Sequence, residues 1–380
     1  MIPPRSAVDI DLGAITSNLA AAKGLVSGAD VMAVVKCDAY GHGATAVAQA
    51  LDSAGVACFG VAFLEEALPL RAVAPETPIL VFTEPAPGEE IATIEAGLTP
   101  TIASPDGVAR LAAAARSTPL DVHLKIDTGL HRLGVAPEHA VEMALRAEST
   151  GLRVTGVWTH FATADDPGDP QLGVQRELFA ATVERLRAAG VEPRHVHAAN
   201  SSAALGDTRT HFTMVRLGAV LYGLRPGSSV PGLTGFRPAM SWRSSVVATQ
   251  RVGEGERVGY GLRYRLETDS TLAVVPVGFG DGLPRLAGNR GRVIVHGSRR
   301  PIAGAVGMSH VIVDCGDTTV RVGDEVILLG RDGAGTDTEV TAEEIAQWSG
   351  TSVYEAVTRI APGLSRRYSP VRPAIDVESR

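Results

Sequence analysis

Short apolar runs alternate with helical stretches through roughly the first 220 residues of the chain. The apolar runs predict buried strands, and between them alanine and leucine recur at the spacing of amphipathic helices. The predicted strands are 31–35, 57–62, 78–82, 98–103, 121–126, 154–159, 195–198 and 214–217. About eight strand–helix repeats favour an α/β fold, a (β/α)8 barrel of the TIM type. An open, doubly wound sheet is the alternative, because strand order cannot be read from sequence.

The amino-terminal part and the helices of this region follow from the same patterns. A short strand-like piece at 8–12 precedes the repeats. The predicted helices include 12–26, 44–54, 64–73 and 174–189. No G-x-G-x-x-G motif opens the first helix, which weakens a dinucleotide-binding interpretation of the open-sheet alternative.

Near residue 226 the pattern changes. Residues 226–238 are rich in glycine, proline and serine, which predicts a linker. Short β-prone runs follow at 244–252, 272–277, 292–295, 310–313 and 325–329. Two helices, 341–348 with Thr341 as N-cap and 353–360, complete this part. We therefore expect a barrel domain at 8–230 and a mainly β domain at 236–380, the latter with residues from near the amino terminus.

Composition narrows the class of protein. The 380 residues are 45% hydrophobic and 20% charged, enough for a sizeable core. A net charge of −7 without a basic run argues against nucleic acid or an anionic membrane as partner. No apolar signal-like region opens the chain, and no long uncharged apolar run occurs. The three cysteines lack metal-ligand spacing, so we expect no metal site and a reduced, cytoplasmic setting.

The first candidate for chemistry is the lysine that ends the first barrel strand. Lys36 follows the apolar run 31–35 and precedes a turn rich in glycine and polar residues. Because α/β folds place ligands at the carboxyl ends of strands, this amine would lose hydration, its pKa would fall, and it would become nucleophilic toward carbonyls. We expect Lys36 to carry pyridoxal phosphate as a Schiff base. A lysine that extends its ammonium to solvent is the alternative.

Other polar side chains fall at the ends of the predicted strands, where a barrel would bring them together. They are Tyr40, Lys125, Asp127, Arg132, His160, His197, Asn200, Ser201, Arg216, Gly218 and Ala219. A lysine, arginines, hydroxyls and glycines suit a phosphorylated aldehyde cofactor.

Each of these residues also has a structural interpretation. His160 could be a core histidine, and Asn200 with Ser201 could cap a helix. Lys125 and Asp127 could form a surface ion pair, and the two arginines could be structural ion-pair partners.

The predicted second domain offers one further acid or base. Tyr260 lies between Gly259 and Gly261 in V-G-Y-G-L-R-Y, a phenol on a backbone that is free to approach another surface. A hairpin tyrosine with an exposed hydroxyl is the alternative.

Long motifs in this chain resemble those of bacterial alanine racemases. The strongest are V-V-K-C-D-A-Y-G-H-G at 34–43 and K-I-D-T-G-L-H-R-L-G at 125–134. In the family's order follow T-H-F-A-T-A-D, H-A-A-N-S-S, R-L-G-A-V-L-Y-G, V-G-Y-G-L-R-Y and Y-E-A-V-T-R-I. The resemblance covers essentially the whole chain. It implies a pyridoxal phosphate enzyme with a barrel and a carboxyl-terminal β domain, which interconverts L-alanine and D-alanine as a homodimer with shared active sites.

The resemblance also implies residue roles. Lys36 would be one catalytic base, and Tyr260 of the partner subunit would be the other. The implied phosphate ligands are Tyr40, Ser201, Gly218, Ala219 and Tyr354, with Asn200 beside them. Arg216 would face the pyridine nitrogen, and His160 would link it to Tyr260 of the partner subunit. Arg132 would bind the cofactor's phenolic oxygen and the substrate carboxylate, which the backbone of Met308 would also contact, and Lys125 resembles a lysine that is carbamylated in some members.

Two positions depart from the family's usual pattern. Phe279 stands where a tyrosine is usual, and Ser309 where an aspartate is usual. We therefore keep three alternatives: a serine or broader amino-acid racemase, a protein that binds pyridoxal phosphate or an inhibitor with little turnover, and a decarboxylase of similar architecture. The Tyr260 motif argues against the last two.

Overall fold

The computed structural model describes residues 4–26, 28–116, 118–166, 168–227, 234–333 and 338–370. Within them the chain forms two compact units. One unit is Ile15–Arg237, and the other combines Met1–Ala14 with Pro238–Arg380. The predicted linker at 226–238 lies in part outside the described residues, which omit 228–233.

The first unit is built around a closed barrel of eight parallel strands. They are β2 (Asp30–Val34), β3 (Cys58–Val61), β4 (Ile79–Val81), β5 (Thr99–Ile102), β6 (Leu120–Lys125), β7 (Leu152–Trp158), β8 (His195–His197) and β9 (Met214–Leu217). The last strand pairs with the first, with Val31 opposite Val215. The predicted barrel is therefore confirmed, and an open sheet is excluded. Apolar residues dominate most of these strands because parallel strands are covered on both faces, although β6 and β8 also carry histidines.

One helix precedes the first barrel strand, and the others lie between barrel strands. They are α1 (Leu12–Leu25), the short turn α2 (Lys36–Gly41), α3 (Ala44–Ser53), α4 (Leu64–Val73), α5 (Glu90–Glu95), α6 (Pro105–Ala115), α7 (Ala140–Ser149), α8 (Gln171–Ala188) and α9 (Ser201–Gly206). Local capping fixes where several begin: Ser104 accepts a hydrogen bond from the Gly107 amide at the start of α6, and Pro105 occupies the first helical position.

The second unit is mainly β. Its strands are β1 (Ser6–Asp11), β10 (Met240–Ser245), β11 (Ala248–Val252), β12 (Arg257–Val258), β13 (Tyr264–Arg265), β14 (Ser270–Val275), β15 (Arg292–Val295), β16 (Ser298–Pro301), β17 (Val311–Asp314), β18 (Glu325–Arg331), β19 (Glu339–Val340) and β20 (Ser365–Ser369). In the described residues they form a seven-stranded sheet in the order β16-β15-β18-β10-β1-β20 with β19 beside β18, a three-stranded sheet β11-β14-β17, and the pair β12-β13.

The strand-like piece near the amino terminus belongs to this second unit. Val8 of β1 pairs with Trp242 of β10 on one side and with Arg366 of β20 on the other. Two helices, α10 (Ala342–Ser349) and α11 (Val353–Thr358), complete the unit. Thr341 caps α10 as predicted, through a hydrogen bond from the Glu344 amide. Every helix among the described residues is too short or too polar to cross a lipid bilayer.

Candidate active site

Lys36 stands at the carboxyl end of β2 and is half-buried. Burial lowers the pKa of its amine, and the positive charges of Arg132 and Arg216 lower it further, although Cys37 and Glu66 act in the opposite direction. An amine whose pKa is lowered in this way is uncharged more often at neutral pH, so it can act as a nucleophile or a base.

The turn after Lys36 has an unusual backbone. Four residues without glycine, Cys37–Tyr40, have φ between 52° and 56°, the left-handed helical region. L-residues avoid this region at a cost of about 1–2 kcal/mol each. Two carboxylates hold the turn: Glu66 accepts from the Cys37 amide and Asp38 accepts from the Ala44 amide, each at 2.7 Å. The predicted glycine-rich turn is therefore a left-handed turn held by side chains, and Tyr40 is its last strained residue.

Two hydroxyls converge on Gly218, just after β9. Ser201 Oγ accepts a hydrogen bond from the Gly218 amide at 3.1 Å. A Cβ built on Gly218 would stand 2.8 Å from Cζ of Tyr40 and closer still to its hydroxyl oxygen. The Tyr40 ring in turn packs on Tyr222, with ring centroids 5.1 Å apart. Only glycine at position 218 leaves open the space between these groups, which we call the cradle of Tyr40, Ser201 and Gly218.

Asn200 and Ala219 flank this cradle. Asn200 caps α9 by accepting from the Ala203 amide at 3.0 Å, so its cap interpretation is correct. Ala219 is buried and begins the 3-10 turn Ala219–Tyr222.

Arg216 is the central cation of the barrel, with 3% of its surface exposed. Its Nη1 and Nη2 lie 3.1 Å from Nδ1 of His197 and of His160. Nη2 also donates to the backbone oxygens of Thr159, at 2.8 Å, and Ala198, at 2.9 Å. Burial and the positive charge of Arg132 lower its pKa to about 9. Because no carboxylate among the described residues forms an ion pair with it, the ion-pair interpretation of Arg216 is wrong.

The hydrogen bonds of Arg216 assign the protons of His160. A guanidinium only donates, so Nδ1 of His160 accepts and the ring proton is on Nε2. Burial, together with the positive charges of Arg216 and Lys125, holds the pKa of His160 well below its usual range. His160 is therefore a neutral ring that presents an Nε2–H donor.

Lys125 is buried in the barrel, with 2% of its surface exposed, so the alternative interpretation of Lys125 as part of a surface ion pair is wrong. Its Nζ lies 3.9 Å from the centroid of the Trp158 ring. Burial lowers its pKa well below the usual value, and Arg216 and Arg132 lower it further, against the weaker opposing effect of Asp127. Asp127 instead accepts hydrogen bonds from the following turn, from the amides of Gly129, Leu130 and His131.

In the second unit, Tyr260 lies at the tip of the β12–β13 hairpin, in the 3-10 turn Tyr260–Leu262. Its side chain is 81% exposed. Gly259 and Gly261 on either side have φ of 77° and 75°, which the tip requires and which side chains rarely adopt. A cavity of about 570 Å³ lies beside the tyrosine, lined partly by Leu286 and Arg290.

The loop that carries Tyr260 is anchored from behind. A Cβ on Gly304 would stand 2.8 Å from the carbonyl oxygen of Val258, so the two backbones are in close contact. Asn289 joins both sides: its Oδ1 accepts from the Gly304 amide at 2.7 Å, and its Nδ2 donates to the Arg263 carbonyl at 3.2 Å. These contacts hold the backbone of the loop that carries Tyr260.

The remaining candidates also belong to the second unit. Met308 is 68% exposed, and its carbonyl accepts from the Gly280 amide at 2.9 Å. Tyr354 is half-buried on α11. Phe279 is 38% exposed, and Ser309 is exposed.

Sequence reasoning did not identify two of the barrel side chains, His123 and Trp158. His123 stands two residues before Lys125 on β6, and Trp158 two residues before His160. The period of two along a strand puts His123 on the same face of β6 as Lys125, and this signal could have found His123.

The chain combines an eight-stranded barrel, with a lysine of lowered pKa at a strand end, and a mainly β unit that carries an exposed, glycine-flanked tyrosine. These features define a two-domain barrel enzyme. Residues 10–226 match the family model described as "Alanine racemase, N-terminal domain". Residues 239–368 match the one described as "Alanine racemase, C-terminal domain". The chain belongs to the alanine racemase family.

Relatives match over nearly the full length. The alanine racemase of Thermobifida fusca is 43% identical over 369 residues, which cover 95% of this chain and 97% of the relative. The solved structure of alanine racemase from D-cycloserine producing Streptomyces lavendulae has a TM-score of 0.91 at 37% identity, covering 97% of this chain and 98% of that one. Alanine racemase from Streptomyces coelicolor A3(2) has a TM-score of 0.90 at 38% identity, with coverage of 96% and 98%.

Proposed function

We propose that this protein interconverts L-alanine and D-alanine with pyridoxal phosphate as cofactor, as a cytoplasmic homodimer with shared active sites. One observation carries the proposal for the barrel. The amine of Lys36 has a lowered pKa and shares its strand ends with Arg216, a buried cation whose hydrogen bonds go to imidazole nitrogens and backbone carbonyls. This set suits a bound anion that carries a carbonyl group.

The described barrel residues fit the cofactor. The hydroxyls of Tyr40 and Ser201 meet at Gly218, where a side chain would close the cradle, and this geometry supports our assignment of the phosphate to it. Ala219 and Asn200 complete the barrel's part of this set, and Tyr354 is the ligand proposed from α11. Hydroxyls and backbone amides are typical phosphate ligands.

Arg216 has the role of keeping the pyridine nitrogen unprotonated. When bound, pyridoxal phosphate supplies an electron sink that acidifies the α-carbon of an amino acid. A guanidinium held beside the ring nitrogen disfavours a second positive charge there. The sink is then weaker, which favours proton transfer over transamination.

Racemisation needs two bases on opposite faces of the α-carbon. Lys36 Nζ takes the proton from one face, and the Oη of Tyr260 of the partner subunit returns a proton to the other; the reverse direction exchanges the roles. Free lysine and tyrosine titrate near 10.4 and 10, so each pKa has to fall for this work at neutral pH. Burial lowers that of Lys36. The Nε2–H of His160 is the donor we assign to the phenol oxygen.

Arg132 and Met308 would orient the substrate. Arg132 is the proposed partner of the substrate carboxylate, and the backbone of Met308 would contact the same group. Lys125 fits the carbamylation seen in some family members, because its low pKa favours the neutral amine that reacts with carbon dioxide. The positive charges of Arg132 and Arg216, which repel the ammonium form of Lys125, would attract the negatively charged carbamate.

Features of the second unit support the homodimer. Tyr260, Leu262 and Leu286 are large side chains with 81%, 54% and 59% of their surfaces exposed. Tyr260 and Leu286 line the same cavity. Exposed apolar groups around a polar functional residue are typical of an interaction surface, and a second copy of this chain is the partner that we propose.

The test is to incubate the purified protein with pyridoxal phosphate and each L-amino acid, and to follow the D-enantiomer. We expect D-alanine as the main product, and loss of activity in both Lys36→Ala and Tyr260→Phe. Lys23→Ala, on the exposed side of α1, is the matched control and should retain activity. D-serine as the main product would favour the broader racemase that Phe279 and Ser309 leave open, and cofactor binding without any D-enantiomer would refute turnover.

A further inference from the structure

Two buried histidines continue the hydrogen-bond network of Arg216 into the barrel core. Nδ1 of His197 faces Nη1 of Arg216 at 3.1 Å, and Nε2 of His197 faces Nδ1 of His123 at 3.0 Å. The exposed fractions are 0% for His197 and 4% for His123. The ring of Trp158 lies parallel to that of His197, with centroids 5.7 Å apart and planes at 6°. The network therefore runs from the cation at the end of β9 to a histidine on β6.

This arrangement admits one placement of the protons. Because Arg216 only donates, Nδ1 of His197 must accept, and its proton must be on Nε2. That N–H then donates to Nδ1 of His123, so the proton of His123 is on its own Nε2. Both rings are neutral: burial lowers the pKa of His123 to about 3, and burial with the charge of Arg216 holds that of His197 well below its usual range.

The barrel makes room for His123 at a specific place. Its strand partner is Gly156 on β7, and a Cβ built on Gly156 would overlap the imidazole ring. The register of the β6–β7 pair shifts between Val122 and His123. A missing side chain and an irregular register together accommodate a polar ring where an apolar residue would pack more simply.

We propose that His123 is a positioning residue that fixes the tautomer of His197 and thereby holds the guanidinium of Arg216 in its orientation at the end of β9. The effect on catalysis rests on the proposed function, in which Arg216 faces the cofactor's pyridine nitrogen. Without the acceptor on His123, His197 is free to move its proton to Nδ1, where it would confront a guanidinium N–H. Arg216 would then lose one of its two imidazole acceptors.

Two substitutions separate this role from packing. His123→Asn places an amide oxygen where Nδ1 of histidine lies, so the acceptor is kept. His123→Leu fills similar space without an acceptor. If His123 acts through the tautomer, only the leucine variant disturbs Arg216, whereas a packing role predicts that the asparagine variant is at least as harmful.

The first measurement needs neither cofactor nor turnover. Nitrogen NMR of the 15N-histidine-labelled protein distinguishes a protonated from an unprotonated ring nitrogen, and His197→Gln assigns the signals. We expect His197 to carry its proton on Nε2 in the wild-type protein and in His123→Asn, and to lose this single tautomer in His123→Leu. A proton on Nδ1 in the wild-type protein would overturn the proposal, even if the leucine variant failed to fold.

The second measurement uses the holoenzyme. In His123→Leu we expect racemisation to fall about tenfold, the loss typical of a hydrogen bond to a charged group, and the fraction of turnovers ending in transamination to rise. The racemisation rate of His123→Asn should stay within about threefold of the wild-type rate. Equal losses in both variants, or an unchanged transamination fraction in the leucine variant, would overturn the proposal. An inactive wild-type protein with the expected tautomer would instead refute the proposed function alone.

Discussion

Gly218→Ala tests the proposed phosphate site at its tightest point. The new Cβ would lie 2.8 Å from Cζ of Tyr40 and nearer to its hydroxyl, so the phenol has to retreat by about 1 Å to reach ordinary contact. Tyr40 is 9% exposed and packs against Tyr222, so it cannot simply swing into solvent. The φ of Gly218 is negative, so the left-handed conformation that favours glycine is not involved, and the close approach to Tyr40 is what the substitution tests.

Overpacking of this kind costs about 1–3 kcal/mol. If the displaced hydroxyl is a phosphate ligand, the Kd for pyridoxal phosphate should rise roughly 10- to 100-fold, measured by absorbance titration of the apoprotein. Gly24→Ala is the matched control, because nothing lies within 4 Å of its new Cβ on α1. Its Kd should not change, and its stability should stay equal or rise, since alanine favours helix. A Kd for Gly218→Ala within twofold of wild type would refute the assignment of Tyr40 and Gly218 to the phosphate.

Three further predictions follow from the same contacts. Arg216→Glu should raise transamination relative to racemisation, because a carboxylate allows the ring nitrogen to be protonated; an unchanged product ratio would reject this role. Asn289→Ala removes two hydrogen bonds behind the Tyr260 loop. We expect kcat to fall about tenfold and the free energy of unfolding to fall by about 1–3 kcal/mol. A kcat within twofold of wild type would show that the loop does not need this anchor. His123 has a folded-state pKa of about 3 against 6.5 for an ordinary histidine. Its contribution to stability is therefore complete above pH 6.5 and is lost as the pH falls toward 3, by up to about 1.4 kcal/mol per pH unit. Urea unfolding between pH 7 and pH 4 should show a steeper loss for wild type than for His123→Asn, and parallel curves would contradict it.

The barrel could be predicted because its pattern is local. A barrel strand such as β2 is buried on both faces. It is therefore mostly apolar and is easy to recognise between amphipathic helices. The sheet partners of β1 could not be predicted in this way. Val8 pairs with Trp242 and Arg366, far along the chain, and no spacing within residues 6–11 encodes those partners.

The site could be predicted in kind but not in geometry. Strand-end position correctly brought Lys36, Arg216 and His160 together in the barrel, because the carboxyl ends of parallel strands share one edge. For Lys125 the sequence left two interpretations open, a strand-end residue of the barrel or a member of a surface ion pair, since a K-x-D pattern looks the same on a surface as in a core. The left-handed turn at Cys37–Tyr40 was missed, because its stabilising carboxylate, Glu66, is remote in sequence.

The central claim is that Lys36 and Tyr260 of the partner subunit act on one substrate, and mixed dimers test it most directly. Lys36→Ala and Tyr260→Phe proteins, each almost inactive alone, are unfolded together, refolded and assayed with L-alanine. A mixed dimer contains one site with both native bases, so random pairing should restore about a quarter of wild-type activity. Activity that stays at the level of the separate variants would show that the two residues do not meet across subunits and would contradict the account.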